Sequence, residues 1–303
     1  MVCPPAPRKG LSAGTLCGLC ADVLGSPAKR GYVPPMPALP SIGRDHAVIA
    51  MIHLRALPGT PAHEGGIGPI LDGALREARI YRSAGVDALM LENMHDTPYL
   101  RGAVGPEITA AMAVVCAAVK QAARLPCGVQ VLAGANREAL ALALAAGLDF
   151  VRVEGFVFAH VGDEGLHQSC AAELLRYRRQ IGADAIDLLA DIKKKHSAHA
   201  ITADVSLEET ARAAELFRAD AVVVTGAATG EPTSPAELDA VRGAVSLPVL
   251  VGSGVTLENL ERYVDRADAL IVGSHLKEGG RWANEVSADR AARFMDRVRE
   301  LRG

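Results

Sequence analysis

The feature that most constrains the fold of this chain is an alternation, repeated eight times, of short apolar segments with longer stretches of helical periodicity. The apolar segments have the length of β-strands, and the stretches between them carry apolar residues at the spacing of amphipathic helices. Such an alternation is typical of a parallel sheet whose strands are joined by crossover helices. The segments of strand length begin at Ala47, Asp87, Cys127, Leu148, Asp187, Asp220, Leu247 and Asp268.

The number of these units favours a closed barrel over an open sheet. Eight strand–helix units occupy residues 46–303, and a (β/α)8 TIM barrel needs about 250 residues. An open, doubly wound sheet is the alternative, but eight complete units favour closure. We therefore predict one α/β domain, a TIM barrel over residues 46–303, in which each strand is followed by a helix.

Residues 1–45 differ from the rest of the chain in composition and are predicted to lie outside the barrel. They hold eight of the 17 prolines, and Asp22 is the only acidic residue before Asp45. A basic segment that is poor in acidic residues is typical of organelle-targeting sequences, and an unstructured tail without an address is the equal alternative. The sequence therefore predicts a cytoplasmic or mitochondrial protein. The basic residues of this extension are Arg8, Lys9, Lys29, Arg30 and Arg44.

The overall composition excludes several classes of partner. The formal net charge of -3 and the isoelectric point near 6.3 give no basic surface of the kind that nucleic-acid-binding domains carry. No apolar run reaches the length of a membrane span. The six cysteines fit no disulfide framework in a chain of this length. We predict a soluble protein with neither nucleic acid nor membrane as a partner, and the sequence leaves a homo-oligomer open.

Because successive side chains of a strand face opposite ways, the sequence predicts which of them enter the barrel. In the fourth strand Val151 and Val153 should meet the helices, so Arg152 and Glu154 point inward. Four other strands place inward polar side chains at or near their carboxyl ends, namely His53, Glu92, Gln130 and the pair Asp191 and Lys193. TIM barrels keep their active sites at this end. A buried salt-bridge layer is the alternative, but unpaired buried charges are costly, and a ring across five strands favours a site.

The loops after the last three strands are rich in glycine and hydroxyl side chains. In many barrels the loops after strands seven and eight bind phosphate through backbone N–H groups, and glycine lets an oxyanion approach them. A tight turn alone is the alternative, and it would explain one glycine. We predict a phosphate site, with a helix that starts at Thr256. Its residues are Thr225, Gly252, Ser253, Gly254, Gly273 and Ser274, with N–H donors from Gly252, Gly254, Gly273 and Ser274.

The fifth strand ends in a lysine-rich segment, residues 191–199. Alternation predicts that Lys193 points into the barrel, whereas Lys194 points outward and Lys195 lies on the loop, in a solvated charge run. An inward lysine can form a Schiff base when its pKa is lowered, or it can pair with a substrate carboxylate or phosphate. The sequence places no third metal-ligand residue at a fixed spacing from His196 and His199. Neither a metal nor another cofactor is predicted, and a divalent metal is the lesser alternative.

Five segments of the chain together resemble one family. They are MIHLRALPGTP from Met51, LMLENMHDTPY from Leu89, DIKKKHSAHAITADVSLEETA from Asp191, VVVTGAATGEPTSP from Val222 and VLVGSGVTLENL from Val249. In length and order they resemble the BtpA/SgcQ family, over essentially all of the chain from Ala47. The resemblance implies a barrel of the ribulose-phosphate-binding type, and residues 92–96 are similar to the non-photosynthetic eukaryotic branch. One family member is associated with accumulation of photosystem I reaction-centre proteins and another lies among sugar-metabolism genes, so no single reaction is implied.

These observations lead to two functional hypotheses. The first is an enzyme that acts on a small phosphorylated, sugar-phosphate-like metabolite by general acid/base, lyase or isomerase chemistry. Two carboxylates in different environments can take separate roles, and we assign the base to Asp191 and the acid to Glu154. The second is a non-catalytic, BtpA-like assembly or stability factor. The predicted catalytic residues are Glu92, Glu154, Asp191 and Lys193, and His53, Gln130 and Arg152 are predicted to bind the substrate beside the phosphate loops.

Overall fold

Eight parallel strands close a barrel in the computed structural model, which describes residues 39–43, 45–226 and 232–303. This closure confirms the predicted (β/α)8 TIM barrel. The barrel strands are β1 (Ala47–His53), β2 (Ala88–Glu92), β3 (Cys127–Gln130), β4 (Phe150–Val153), β5 (Asp187–Ile192), β6 (Ala221–Val224), β7 (Val249–Val251) and β8 (Ala269–Val272). The α-helices are α1 (Ile67–Ala84), α2 (Pro106–Ala123), α3 (Asn136–Ala146), α4 (Ala171–Gln180), α5 (Leu207–Leu216), α6 (Pro235–Ala244) and α7 (Ala288–Arg302). None of these helices is long and apolar enough to cross a membrane.

The register between neighbouring strands brings polar side chains into one row. Strands pair in chain order, and β8 closes onto β1. His53 at the end of β1 lies beside Glu92 of β2, and Glu92 lies beside Gln130 of β3. Because residues in register on adjacent strands share a face of the sheet, these three side chains point into the barrel together. The position of the polar row therefore follows from the strand register.

Helices α2, α5 and α6 begin at start signals in the sequence, whereas one predicted helix is absent. Ser206 and Glu209 form the capping box of α5, in which each side chain accepts the other residue's backbone N–H. The helix predicted from Thr256 is wrong, because turns and a 3-10 helix at Leu260–Arg262 replace it. Asn259 accepts the Thr256 N–H and holds the segment in a turn.

The barrel interior below the polar row is apolar, and Leu39 packs into it. The interior cluster includes Met51, Met90 and Phe150, and Leu39 belongs to it at 1% exposure. Because β1 begins at Ala47, Leu39 reaches the cluster at the end of the barrel where the strands begin. Leu39 lies within the predicted extension, so the packed part of the chain begins before residue 46. The extension's residues 1–38 and 44 lie outside the described residues.

A small antiparallel sheet that the sequence did not predict lies at the carboxyl end of the barrel. It consists of His160–Gly162, Gly165–His167 and Ser197–Ala198. The first two strands form a hairpin in the loop after β4, and the third belongs to the lysine-rich segment after β5. The sheet therefore ties together two loops that border the polar row.

Candidate functional site

Six side chains that strand alternation predicts to be inward form a buried polar layer at the carboxyl ends of the strands. At its centre Arg152 Nε donates to Asp191 Oδ1 at 2.9 Å, and the two side chains are 9% and 1% exposed. Arg152 and Asp191 thus form an ion pair that is almost completely buried. The six residues of this polar layer are His53, Glu92, Gln130, Arg152, Glu154 and Asp191.

Burial changes the protonation of two members of the layer. It raises the pKa of Glu92 to about 7, against an opposing effect of Arg152. Burial and the charge of Lys277 lower the pKa of His53 to about 3, so its imidazole is neutral at neutral pH. His53 Nδ1 lies 3.1 Å from the Trp282 carbonyl oxygen and donates to it. The unprotonated Nε2 then lies 3.6 Å from Glu92 Oε2. The layer thus holds a carboxyl group poised to exchange a proton near neutral pH.

Two oxygens of the layer lack partners. Gln130 Oε1 and Glu154 Oε2 are buried and accept no hydrogen bond within the described part of the chain. A buried polar atom without a partner costs about 1–3 kcal/mol, and native proteins tolerate few of them. Both atoms are hydrogen-bond acceptors. They therefore fit a ligand that donates hydroxyl groups.

The lysine-rich segment does not keep the predicted alternation. Lys193 has a φ of 44°, so the chain turns there and the alternation ends with β5. Lys193 Nζ donates to the Thr202 carbonyl oxygen at 3.3 Å, away from the polar layer, and the predicted inward orientation of Lys193 is wrong. Lys194, predicted to point outward, donates instead to Glu154 Oε1 at 2.9 Å. The sequence carries no signal of this, because non-glycine residues other than Asn, Asp and His seldom adopt a positive φ.

Lys195 is the site residue that the sequence reasoning missed. Its backbone N–H donates to Thr225 Oγ1 at 2.9 Å, and its Nζ donates to Ser253 Oγ at 2.7 Å. Burial and the charge of Arg152 lower the pKa of Lys195. The ammonium group thus reaches the loop after β7 and interacts electrostatically with Arg152, Glu92 and Asp191 of the polar layer.

The glycines after β7 and β8 make room for the polar layer. A Cβ on Gly252 would lie 2.5 Å from Val223 Cγ1 and 3.2 Å from Arg152 Nη2. A Cβ on Gly273 would lie 3.3 Å from His53 Nε2. The N–H of Gly252 donates to a carbonyl oxygen of β6 at 2.8 Å. It is not available to an anion, so the prediction of Gly252 as a phosphate donor is wrong.

Four other N–H groups of these loops have no hydrogen-bond partner among the described residues. They belong to Ser253, Gly254, Gly273 and Ser274, and these four residues are called the loop donors below. Gly254 has a φ of 70°, which glycine adopts without strain. The two loops are held together, because the N–H of Leu257 after β7 donates to Nε2 of His275 after β8. Unpaired N–H groups beside a lysine are suited to an anion.

Two buried residues after β2 fix the loops around the site. Asn93 Oδ1 accepts the Leu132 N–H at 2.7 Å, and Asp96 Oδ1 accepts the Leu57 N–H at 2.8 Å. Asn93 Nδ2 also donates to Asp96 Oδ2 at 2.9 Å. The loops after β1 and β3 are thereby tied to β2. Part of the sequence that carries the family resemblance thus fixes the loops around the site.

Three histidines meet on the small antiparallel sheet and the loop beside it. The rings of His160 and His167 stack with centroids 5.0 Å apart, and the ring of His199 lies 5.7 Å from that of His160. Burial and the charge of Lys194 lower the pKa of His160 to about 4. No group of three or more His, Cys, Asp or Glu side chains in residues 39–43, 45–226 and 232–303 is placed to hold a metal. The absence of a metal or other cofactor stays a prediction.

Two cavities border the layer. One of about 20 Å³ lies between the loops after β4 and β5, beside Asp191, His160 and Lys194. The other, of about 220 Å³, lies between β1, α1 and the loop before α7, with His53 and Glu77 in its wall. A volume of about 20 Å³ holds a single water molecule. A larger ligand reaches Asp191 from that side only when the bordering side chains move.

The fold is similar to that of solved barrel enzymes. Thiamine phosphate pyrophosphorylase from Pyrococcus furiosus matches with a TM-score of 0.54 and 15% identity, over 85% of this chain and 97% of that chain. Orotidine 5'-phosphate decarboxylase from Pyrococcus horikoshii matches with a TM-score of 0.52 and 13% identity, over 83% of this chain and 99% of that chain. At these identities the similarity shows the fold alone.

Sequence comparison assigns the family. The BtpA family model matches residues 44–300. The uncharacterised protein F13E9.13, mitochondrial, of Caenorhabditis elegans is 45% identical over 84% of this chain and 94% of its own length. The photosystem I biogenesis protein BtpA of Synechocystis is 31% identical over 84% of this chain and 88% of its own length. These matches cover the barrel and agree with the resemblance of its five sequence segments. The chain therefore belongs to the BtpA family.

Proposed function

We propose that this chain is an enzyme that binds a small phosphorylated, sugar-phosphate-like metabolite at the carboxyl end of its barrel. The observation that carries the proposal is the bond from Lys195 to Ser253, because it brings to the loop donors a lysine that interacts electrostatically with Glu92 of the polar layer. A phosphate on the loop donors would hold the rest of the molecule against the layer. Substrate hydroxyl groups would then donate to the unpaired oxygens of Gln130 and Glu154.

The similar solved structures support the phosphate part of the proposal. Thiamine phosphate pyrophosphorylase and orotidine 5'-phosphate decarboxylase are both named for phosphorylated compounds. Barrels of this kind bind phosphate at the loops after strands seven and eight, where the loop donors lie. A fold does not determine a function, so the weight of the proposal rests on the loop donors and the polar layer.

The layer supports acid/base chemistry with a changed assignment of roles. Glu154 is paired with Lys194, so Glu92, with a pKa of about 7, replaces it as the acid. Burial raises the pKa of Asp191, and Arg152 opposes this rise. The bond to the guanidinium favours the ionised form of Asp191, which a base needs. An isomerase, lyase or aldol-type step needs an acid and a base in separate environments, and no redox cofactor.

The charge of residue 254 tests the phosphate site. Asn and Asp tolerate the left-handed conformation of Gly254 better than most residues, so Gly254→Asn and Gly254→Asp strain the loop similarly and differ in charge. We expect inorganic phosphate and ribose 5-phosphate to stabilise the wild type and Gly254→Asn but not Gly254→Asp. A ligand at about 100 times its Kd stabilises a protein by about 2.7 kcal/mol. Differential scanning fluorimetry measures this as a higher Tm.

Chloride at matched ionic strength controls for the effect of salt in this experiment. Glu92→Gln leaves the loop donors intact and should keep the phosphate response. Equal responses of Gly254→Asp and Gly254→Asn would place the phosphate elsewhere and overturn the proposed site. A wild type that responds to neither phosphate would overturn the proposal as a whole. It would favour a non-catalytic assembly factor, and the Synechocystis relative is named as a photosystem I biogenesis protein.

We also propose that residues 1–45 direct the protein to mitochondria. The extension has five basic residues and two acidic ones, and basic, acid-poor segments are typical of mitochondrial targeting. The Caenorhabditis elegans relative is named as mitochondrial. A fluorescent protein fused to residues 1–45 should enter mitochondria, and the same fusion with the five basic residues changed to glutamine should stay in the cytosol. A diffuse signal from the unaltered fusion would refute the proposal.

A further inference from the structure

The cations at the polar layer differ in their partners. Arg152 and Lys194 each donate to a carboxylate of the layer at 2.9 Å. Lys195 forms no ion pair with a described carboxylate, and its half-buried ammonium donates to the neutral hydroxyl of Ser253. A buried ammonium without a counter-charge is the kind that gives up its proton. Lys195 is thus set apart from the other cations of the site.

Glu92 is a buried acidic residue that, like Lys195, lacks an oppositely charged partner in salt-bridge contact among the described residues. Its neighbour His53 is neutral. Burial raises the pKa of Glu92 to about 7 and lowers that of Lys195. A proton that moves from Lys195 to Glu92 leaves the total charge unchanged and removes two buried charges. Such a transfer would give a free amine and a protonated carboxyl, and imine formation requires both.

We propose that Lys195 Nζ attacks the carbonyl carbon of a short phosphorylated aldehyde or ketone and forms an imine with it. This proposal rests on the proposed phosphate site, and the phosphorylated aldehyde or ketone is the substrate class that it assigns to that site. Nζ lies 2.7 Å from the hydroxyl of Ser253, whose N–H is one of the loop donors. The reacting carbonyl is therefore only a few bonds from the phosphate ester.

The step balances with the groups present. The amine nitrogen forms a C–N bond as the carbonyl π bond breaks, and one proton passes from nitrogen to oxygen to give a carbinolamine. Protonated Glu92 gives its proton to the carbinolamine hydroxyl, the C–O bond breaks, and water leaves. The products are a protonated imine and the Glu92 carboxylate. The imine withdraws electrons from the adjacent carbon, whose proton Asp191 then accepts.

The neighbouring lysines do not meet the same requirements. Burial acts against the charge of Lys194, but the Glu154 carboxylate outweighs it and raises the pKa of Lys194. Lys193 donates to a loop carbonyl, that of Thr202, away from the layer. Lys193→Arg is therefore a matched control for Lys195→Arg, because both variants keep the positive charge and remove a primary amine.

Borohydride trapping on the full chain tests the inference. The protein is incubated with dihydroxyacetone phosphate, sodium borohydride reduces any imine to a stable secondary amine, and peptide mass mapping locates it. We expect one adduct per chain, on Lys195, and more than about tenfold less labelling by dihydroxyacetone, which lacks the anchoring phosphate. Lys195→Arg should lose the adduct. Lys193→Arg should keep both the adduct and the stabilisation by inorganic phosphate.

Replacing Glu92, the proposed acid, provides a second test of imine formation. Glu92→Gln should form the adduct more than about tenfold more slowly, because it lacks the proton that expels water. Labelling spread over many lysines, or an adduct that persists in Lys195→Arg, would overturn the inference. A wild type that inorganic phosphate stabilises but that forms no adduct would overturn the imine alone and leave the proposed function standing. Absence of both responses would overturn both.

Discussion

Replacing Arg152 with methionine should lower the free energy of unfolding by about 3–5 kcal/mol. The guanidinium donates to Asp191 at 2.9 Å, and the Asp191 side chain is 1% exposed. Methionine keeps much of the volume of arginine but leaves a buried carboxylate without a counter-charge. That loss is far larger than the net contribution of the ion pair, because burial has already removed the solvation of both charges. Urea denaturation at neutral pH measures the change.

Two further variants control for the loss of an arginine side chain. Arg152→Met combined with Asp191→Leu removes both charges and should recover most of the lost stability. Arg179→Met breaks an ion pair of the same length, to Asp184, but both of its side chains are largely exposed. It should cost less than about 1 kcal/mol. An Arg152→Met variant as stable as Arg179→Met would mean that Asp191 is solvated, contrary to the structure.

Glu92→Gln should make the protein more stable than the wild type above neutral pH. A rise of the Glu92 pKa from 4.5 to about 7 corresponds to about 3 kcal/mol, at about 1.4 kcal/mol for each pH unit. Below pH 4.5 the carboxyl is protonated in both the folded and the unfolded state and imposes no penalty. As the pH rises through 7 the wild type loses up to this amount of stability. Glutamine has no charge to lose, so the advantage of the variant grows over this window.

Urea denaturation at about pH 5 and about pH 8 measures the advantage of Glu92→Gln. Glu285→Gln is the control, because the Glu285 carboxylate is largely exposed and paired at the surface. Its stability relative to the wild type should not grow with pH in the same way. A wild type and a Glu92→Gln variant with the same pH dependence would show that Glu92 ionises freely in the folded state. That outcome would also remove Glu92 from the acid role.

The barrel and most of its polar layer could be predicted because both follow from periodicity along single strands. Each strand carries its own apolar face, and that face fixes which residues point inward. His53, Glu92 and Gln130 then fall into one row, because the strands pair in register. The prediction needed no knowledge of contacts between distant residues. It failed only where the strand periodicity ended.

The rest of the site depends on single dihedral angles and on contacts between strands. One positive φ at Lys193 reverses the orientation of the lysines that follow, and so exchanges the predicted inward lysine for Lys194 and Lys195. The reason for a glycine at 252 is the space that Val223 occupies on the neighbouring strand, with Arg152 also close. Neither effect leaves a pattern in the local sequence. The glycine positions were therefore identified, but their main physical reason was not.

Leu39 sets a limit on how the chain can mature. If a protease removes the extension after import, a cut at residue 45, where the proline-rich composition ends, would also remove Leu39. The interior cluster that Leu39 covers would then be open to water, and the loss of one buried leucine costs about 1.5–3 kcal/mol. A processing site compatible with the barrel lies on the amino-terminal side of Leu39. The packing of Leu39 into the interior cluster, rather than the change in composition, thus limits where the mature protein can start.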